Sequence, residues 1–153
     1  MTKILLRKAL GGLIAADDEA SKFLTDIKAG DMFACEITRP RNLGFHRKWF
    51  ALLTVMFEQK SLSYRPLEYK GKKVEPCFER FRKEVVIKTG RYEPVYGIDG
   101  EIRLEANSVS FANMKKEDFE LLYSDTIDVA LELLKDYSKD ELDNMVNHVL
   151  EFC

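Results

Sequence analysis

The sequence predicts an α+β fold, a small antiparallel sheet packed with four to five helices in a single domain. Two observations carry this expectation: apolar residues recur at helical spacing in three long stretches, and short alternating segments lie beside glycine turns. The length agrees, since 153 residues form one ordinary domain and bury about 68–70% of the surface their unfolded chain exposes. Composition fits as well, at 46% hydrophobic and 33% charged residues with only 8 Gly and 4 Pro.

Residues Lys3 to Ala9 and Leu13 to Ala15 read as strands around a Gly11-Gly12 turn. Asp17 or Asp18 caps a helix with Ala20, Phe23, Leu24 and Ile27 on one face, and Gly30 stops it. Alternation of Phe33, Cys35 and Ile37 predicts a strand from Met32 to Thr38, completing a ββαβ segment over residues 1–38. After the turn-rich loop Arg39 to Gly44, the spacing predicts a helix from Phe45 to about Lys60 with Trp49, Leu52, Leu53 and Met56 on a wide apolar face. Tyr69-Lys70-Gly71-Lys72-Lys73 is expected as an exposed hairpin or loop. A helix over 75–89 ends at Gly90, and strands over 92–98 and 101–105 flank Asp99-Gly100, the dipeptide of a two-residue hairpin. Helices over 116–137 and 138–152 close the chain, the second opened by the capping box Ser138-x-x-Glu141.

Three widely separated cysteines, Cys35, Cys77 and Cys153, form no Cys-x-x-Cys pair, so neither a disulfide framework nor a zinc ribbon is expected. The apolar run Trp49 to Phe57 is too short to cross a membrane, which needs about 18 residues. Lys3, Arg7 and Lys8 before the apolar run from Ala9 to Ala16 have the order of a signal peptide, but Gly11-Gly12 breaks that run and favours a strand, turn and strand. The expected location is the cytoplasm.

The formal charge of −2 conceals a strong polarity. Residues 1–35, 36–95 and 96–153 carry balances of 0, +7 and −9. The basic groups are Arg39 and Arg41, Arg47 and Lys48, Lys70, Lys72 and Lys73, and then Arg80, Arg82, Lys83, Lys88 and Arg91; Tyr64, Tyr69 and other aromatics lie among them. Phosphates take such charge, and unstacked bases take exposed rings, so the candidate single-stranded nucleic-acid residues are Arg39, Arg41, Arg47, Lys48, Tyr69, Lys70, Lys72, Lys73, Arg80, Lys83 and Arg91. On the helix from Glu75, however, Glu79 can reach Arg82 and Lys83, and Glu84 can reach Arg80 and Lys88, which would spend that charge locally. The acidic third has a helical stripe, Asp118, Asp125, Asp128 and Glu132 continued by Asp136, which is either a solvated face or a surface for a basic partner.

Catalytic machinery is not expected. His46 and His148 have no partner pattern, and Gly-x-Ser-x-Gly and phosphate-loop motifs are absent. Glu68-x-Lys70 has the spacing of the last two members of one nuclease signature, with no matching Asp before it, and no metal or cofactor set is evident.

The run Arg41-Asn42-x-x-Phe45-His46-Arg47-Lys48-Trp49-Phe50-Ala51-Leu52-Leu53 resembles the hallmark of a family of phage and prophage proteins of unknown function. It also resembles the helix of the NinB (Orf) recombination mediators of lambdoid phages. Ser108-x-Ser110-Phe111-Ala112-x-Met114-x-x-Glu117-x-Phe119-x-x-Leu122 parallels a second pattern of those mediators, so that residues 39–135 form a mediator-like region. Arg47 and Lys48 match the shared Arg-Lys, whereas His46 stands where the mediators have Asn. The resemblance implies a homodimer in the host bacterial cell that binds single-stranded DNA without strong sequence preference, beside single-strand-binding protein and a recombinase. The alternatives are a phage interaction protein that inhibits a host defence or nucleic-acid complex, and a metal-dependent nuclease.

Overall fold

A computed structural model describes residues 2–37 and 43–152. The chain is α+β, with five helices and three two-stranded antiparallel sheets among the described residues. In order these are β1 (Leu6–Ala9), β2 (Gly12–Ala15), α1 (Asp18–Asp26), α2 (Leu43–Ser61), β3 (Leu67–Tyr69), β4 (Lys72–Val74), α3 (Phe78–Lys88), β5 (Tyr92–Tyr96), β6 (Ile102–Ala106), α4 (Lys116–Leu133) and α5 (Lys139–Glu151). Among the described residues the strands pair only with their hairpin neighbours, so the small antiparallel sheet expected from sequence is present as three separate ribbons. Two compact units result, Met1–His46 with Ser108–Phe119, and Arg47–Asn107 with Glu120–Cys153; α2 and α4 each contribute to both.

In the first unit, the β1–β2 hairpin turns at Gly11, whose φ of +90° is a backbone region that residues with a Cβ rarely adopt. Asp17 caps α1, its Oδ1 accepting from the Ala20 N–H at 2.9 Å. Ala20, Val109 and Phe111 are buried, and Phe119 stacks on Phe45 with ring centroids 4.2 Å apart. Residues 32–37 do not form the strand that their alternation predicts. Period-2 patterning states only that a segment would fit a sheet; it does not supply a neighbour, and no ladder pairs these residues. Thr38 lies outside the described residues.

The second unit holds most of the apolar core. Trp49, Leu52, Leu53 and Met56 of α2 are fully buried, together with Val85 and Val86 of α3, Leu122 and Ala130 of α4, and Leu142 of α5. The wide apolar stripe of α2 needs neighbours around much of its circumference, and the helices of this unit provide that cover. Two linked buried hydrogen bonds pin the core. Trp49 Nε1–H donates to Thr126 Oγ1 at 3.0 Å, and that hydroxyl donates to the Leu122 carbonyl at 2.7 Å.

Helix ends follow local chemistry. The capping box of α5 is present at Ser138 and Glu141. The α3 terminus is a Schellman motif: Gly90 at φ +85° donates to the Ile87 carbonyl and Arg91 to the Val86 carbonyl. The two hairpins beside α3 differ. Lys70 and Gly71, at φ 51° and 75°, form a two-residue type I′ turn. Gly97 N–H bonds to the Glu101 carbonyl, so Asp99-Gly100 lies within a three-residue loop and not in a two-residue turn, with Gly100 left-handed at φ +82°.

Replacing Thr126 by Val keeps the shape of the site but removes the acceptor for the Trp49 N–H. A loss of about 1–3 kcal/mol is expected, measured as a lower midpoint in urea unfolding.

Candidate nucleic-acid interface

The β3–β4 ribbon brings four of the predicted residues together. Its register pairs Leu67 with Val74, Glu68 with Lys73 and Tyr69 with Lys72. Residues opposite each other share a face and alternate residues share it too, so Leu67, Tyr69, Lys72 and Val74 line one face, with Lys70 at the turn. Every strand residue of this ribbon is exposed, Tyr69 at 67%. Lys70 Nζ lies 5.4 Å from the Tyr69 ring centroid, a cation held against an aromatic face. Lys73 is less available, being 2.6 Å from the Glu75 carboxylate. Lys70 and Lys72 have no ion pair among the described residues.

Other candidates are already engaged. Arg80 pairs with Glu84 at 2.9 Å, the i,i+4 contact that the sequence allowed. Arg82, only 4% exposed, meets Glu79 at 2.5 Å. Lys88 was expected to reach Glu84; it pairs instead with Glu132 of α4 at 3.1 Å. Arg91 Nη1 lies 2.8 Å from the Asp125 carboxylate. Two members of the acidic stripe are thus occupied by cations of the same chain, while Asp118 and Asp128 stay exposed. Lys83 is exposed on α3. Arg47 is exposed on α2, and Lys48 sits over the Tyr123 ring at 4.5 Å. Burial, with the Asp143 charge as a smaller cause, pushes the Tyr123 hydroxyl up to about 12, so it stays protonated beneath that cation. Arg39 and Arg41 lie outside the described residues.

Two features escaped the sequence. Arg65 is exposed and unpaired two residues before β3, and its signal was the same as for the lysines, an uncompensated cation beside the hairpin. Tyr64 is the poorer stacking platform of the two tyrosines, being 43% exposed against 67% for Tyr69, and the nearby Glu84 charge would also repel a phosphate.

Residues 1–66 and 61–152 match the family described as protein of unknown function (DUF1367). The chain belongs to this family. No curated protein and no solved structure matches it. In this DUF1367 member no helix among the described residues is long and apolar enough to cross a membrane. Nor do those residues contain a group of three or more His, Cys, Asp or Glu placed to hold a metal ion. Glu68 stands across the ribbon from Lys73.

His46, at the head of the shared helix, is 6% exposed, with Nε2 2.6 Å from the Ala16 carbonyl and its ring edge-on to Phe111. A carbonyl only accepts, so the ring carries its hydrogen on Nε2. Burial is the largest influence on this ring and lowers its pKa; the Arg7 charge acts the same way, while the Ala16 bond and Asp17 oppose it. The fold therefore holds the neutral ring, and the unfolded chain binds the proton first. Stability should fall as pH drops through the ordinary histidine value of 6.5. Thermal melts from pH 7 to pH 5 should show a steeper loss for the native chain than for His46→Gln, which cannot protonate and still offers a donor to Ala16.

Proposed function

We propose that the chain binds single-stranded DNA without strong sequence preference, with the β3–β4 ribbon as its principal contact. The observation that carries this reading is an exposed Tyr69 flanked by Lys70 and Lys72, two cations with no carboxylate partner among the described residues. A base needs an accessible ring face on which to stack, and a phosphate needs a charge that is not already neutralised. The ribbon supplies both within four residues, and the type I′ turn holds Lys70 at the tip. Arg65 adds a third unpaired cation close by in sequence. Arg80 and Arg91, engaged by Glu84 and Asp125, contribute less.

We further propose that this activity serves phage recombination or replication, beside single-strand-binding protein or a recombinase, as the sequence resemblance to recombination mediators implies. Neutralising about three phosphates gives a slope of log affinity against log salt of roughly −2.

Fluorescence anisotropy of a labelled thymidine oligonucleotide over a salt series measures this. Tyr69→Ala should weaken binding by about 1–3 kcal/mol at every salt concentration. Lys70→Ala and Lys72→Ala should each flatten the slope by about 0.7. Arg80→Ala should change little. Absence of binding at low salt, or a Tyr69→Ala protein that binds as the native chain does, rejects the proposal.

A further inference from the structure

The β5–β6 ribbon has two chemically different faces. Its register pairs Tyr92 with Ala106, Pro94 with Leu104 and Tyr96 with Ile102, so these six residues share one face without a charge among them. Glu93, Glu105, Val95 and Arg103 share the other. The apolar face is open to solvent: Tyr96 is 90% and Ile102 76% exposed, with Ile98 also exposed in the loop. Helix α3 packs against β6 and supports the ribbon, while Tyr96, Ile98 and Ile102 at its loop end stay uncovered. An uncharged apolar face of this kind marks a contact surface.

We propose that this face is the contact between two copies of the chain, ribbon packed on ribbon about a two-fold axis. A two-fold contact places the same patch on both sides, so the patch must be complementary to itself. A face with no charge meets that condition, because its copy brings neither repulsion nor a charge to desolvate. Glu93 and Glu105, which face each other across the ribbon and would repel a copy on their own side, remain in water on the opposite face.

Contact through the strand edge is a poorer solution. The Gly97 to Glu101 and Asn107 to Arg91 bonds set the odd-numbered residues of β5 as its hydrogen-bonded positions. Pro94 therefore turns its nitrogen to the outer edge, where it has no hydrogen to donate. Counting about 150–250 Å² for a whole tyrosine side chain and somewhat less for the aliphatics, the face offers roughly 600 Å² per copy. Two copies bury about 1,200 Å², the lower end of the range for specific interfaces.

The inference stands apart from the nucleic-acid reading, whose failure would leave it intact. Light scattering of the full chain over a range of concentrations tests it. A concentration-dependent dimer is expected. Tyr96→Asp combined with Ile102→Asp should weaken association at least about tenfold with the far-ultraviolet circular dichroism unchanged. Glu105→Gln on the opposite face should leave it intact. A chain that stays monomeric at high micromolar concentration, a dimer that survives the double substitution, or one dissolved by Glu105→Gln overturns the proposal. Leu104→Cys, in a chain whose own three cysteines are replaced by serine, gives a second readout. It should cross-link two copies under mild oxidation, and failure to do so overturns the assignment whatever the folding of the other variant.

Discussion

The bond from Trp49 to Thr126 is the constraint from which much of the second unit follows. An indole N–H buried among aliphatic side chains without an acceptor would cost on the order of 1–3 kcal/mol, so Thr126 cannot be moved off this face cheaply. Fixing Thr126 sets the roll of α4. Leu122, Ile127, Val129 and Ala130 then follow it into the core, while Ser124 and Asp128 face outward. Asp125 and Glu132 are thereby aimed at Arg91 and Lys88. A packing decision in the core thus determines which surface charges are neutralised.

That neutralisation changes the meaning of the charge division. By sequence, a basic middle and an acidic end differ by many units; in the folded chain their facing members meet, and part of the polarity is cancelled internally. The Lys88 pair is exposed and the Arg91 pair half-buried, so the first adds little stability. Their importance is subtractive, since they remove Lys88 and Arg91 from the charge available to a polyanion. Among the cations that stay uncompensated are Lys70 and Lys72 of the β3–β4 ribbon, set beside an exposed tyrosine by a two-residue turn. The neighbouring β5–β6 ribbon has the opposite character, an uncharged apolar face backed by carboxylates. The two hairpins therefore differ in chemistry through which residues alternate onto each face.

Legibility in the sequence followed the distance over which each interaction acts. The Asp17 cap, the Ser138 capping box and the Gly90 terminus each close within six residues, and each reads correctly from the chain. The Arg80 to Glu84 and Arg82 to Glu79 pairs are likewise local. Lys88 to Glu132 spans 44 residues and Arg91 to Asp125 spans 34, and neither has a local signature. The exposure of the segment around Lys70 is readable from its composition, whereas the alternation from Met32 to Thr38 gives no strand over the described residues 32–37, because the pattern requires a neighbour that the fold does not provide there. Asp99-Gly100 marked a hairpin correctly but not its loop length, which depends on the strand pair that closes the loop.

By itself the sequence determined the α+β class, the order of helices and hairpins, the helix caps and the basic, aromatic character of the segment from Tyr64 to Lys73. Those properties depend on periodicity and on hydrogen bonds between near neighbours. Only the tertiary structure decided that the strands remain three separate ribbons, that His46 is a buried neutral ring held to a carbonyl, and that Arg91 and Lys88 are engaged while Lys70 and Lys72 are not. Each of these turns on what lies across space from a residue, and burial and charge pairing are set by that neighbour and not by position along the chain.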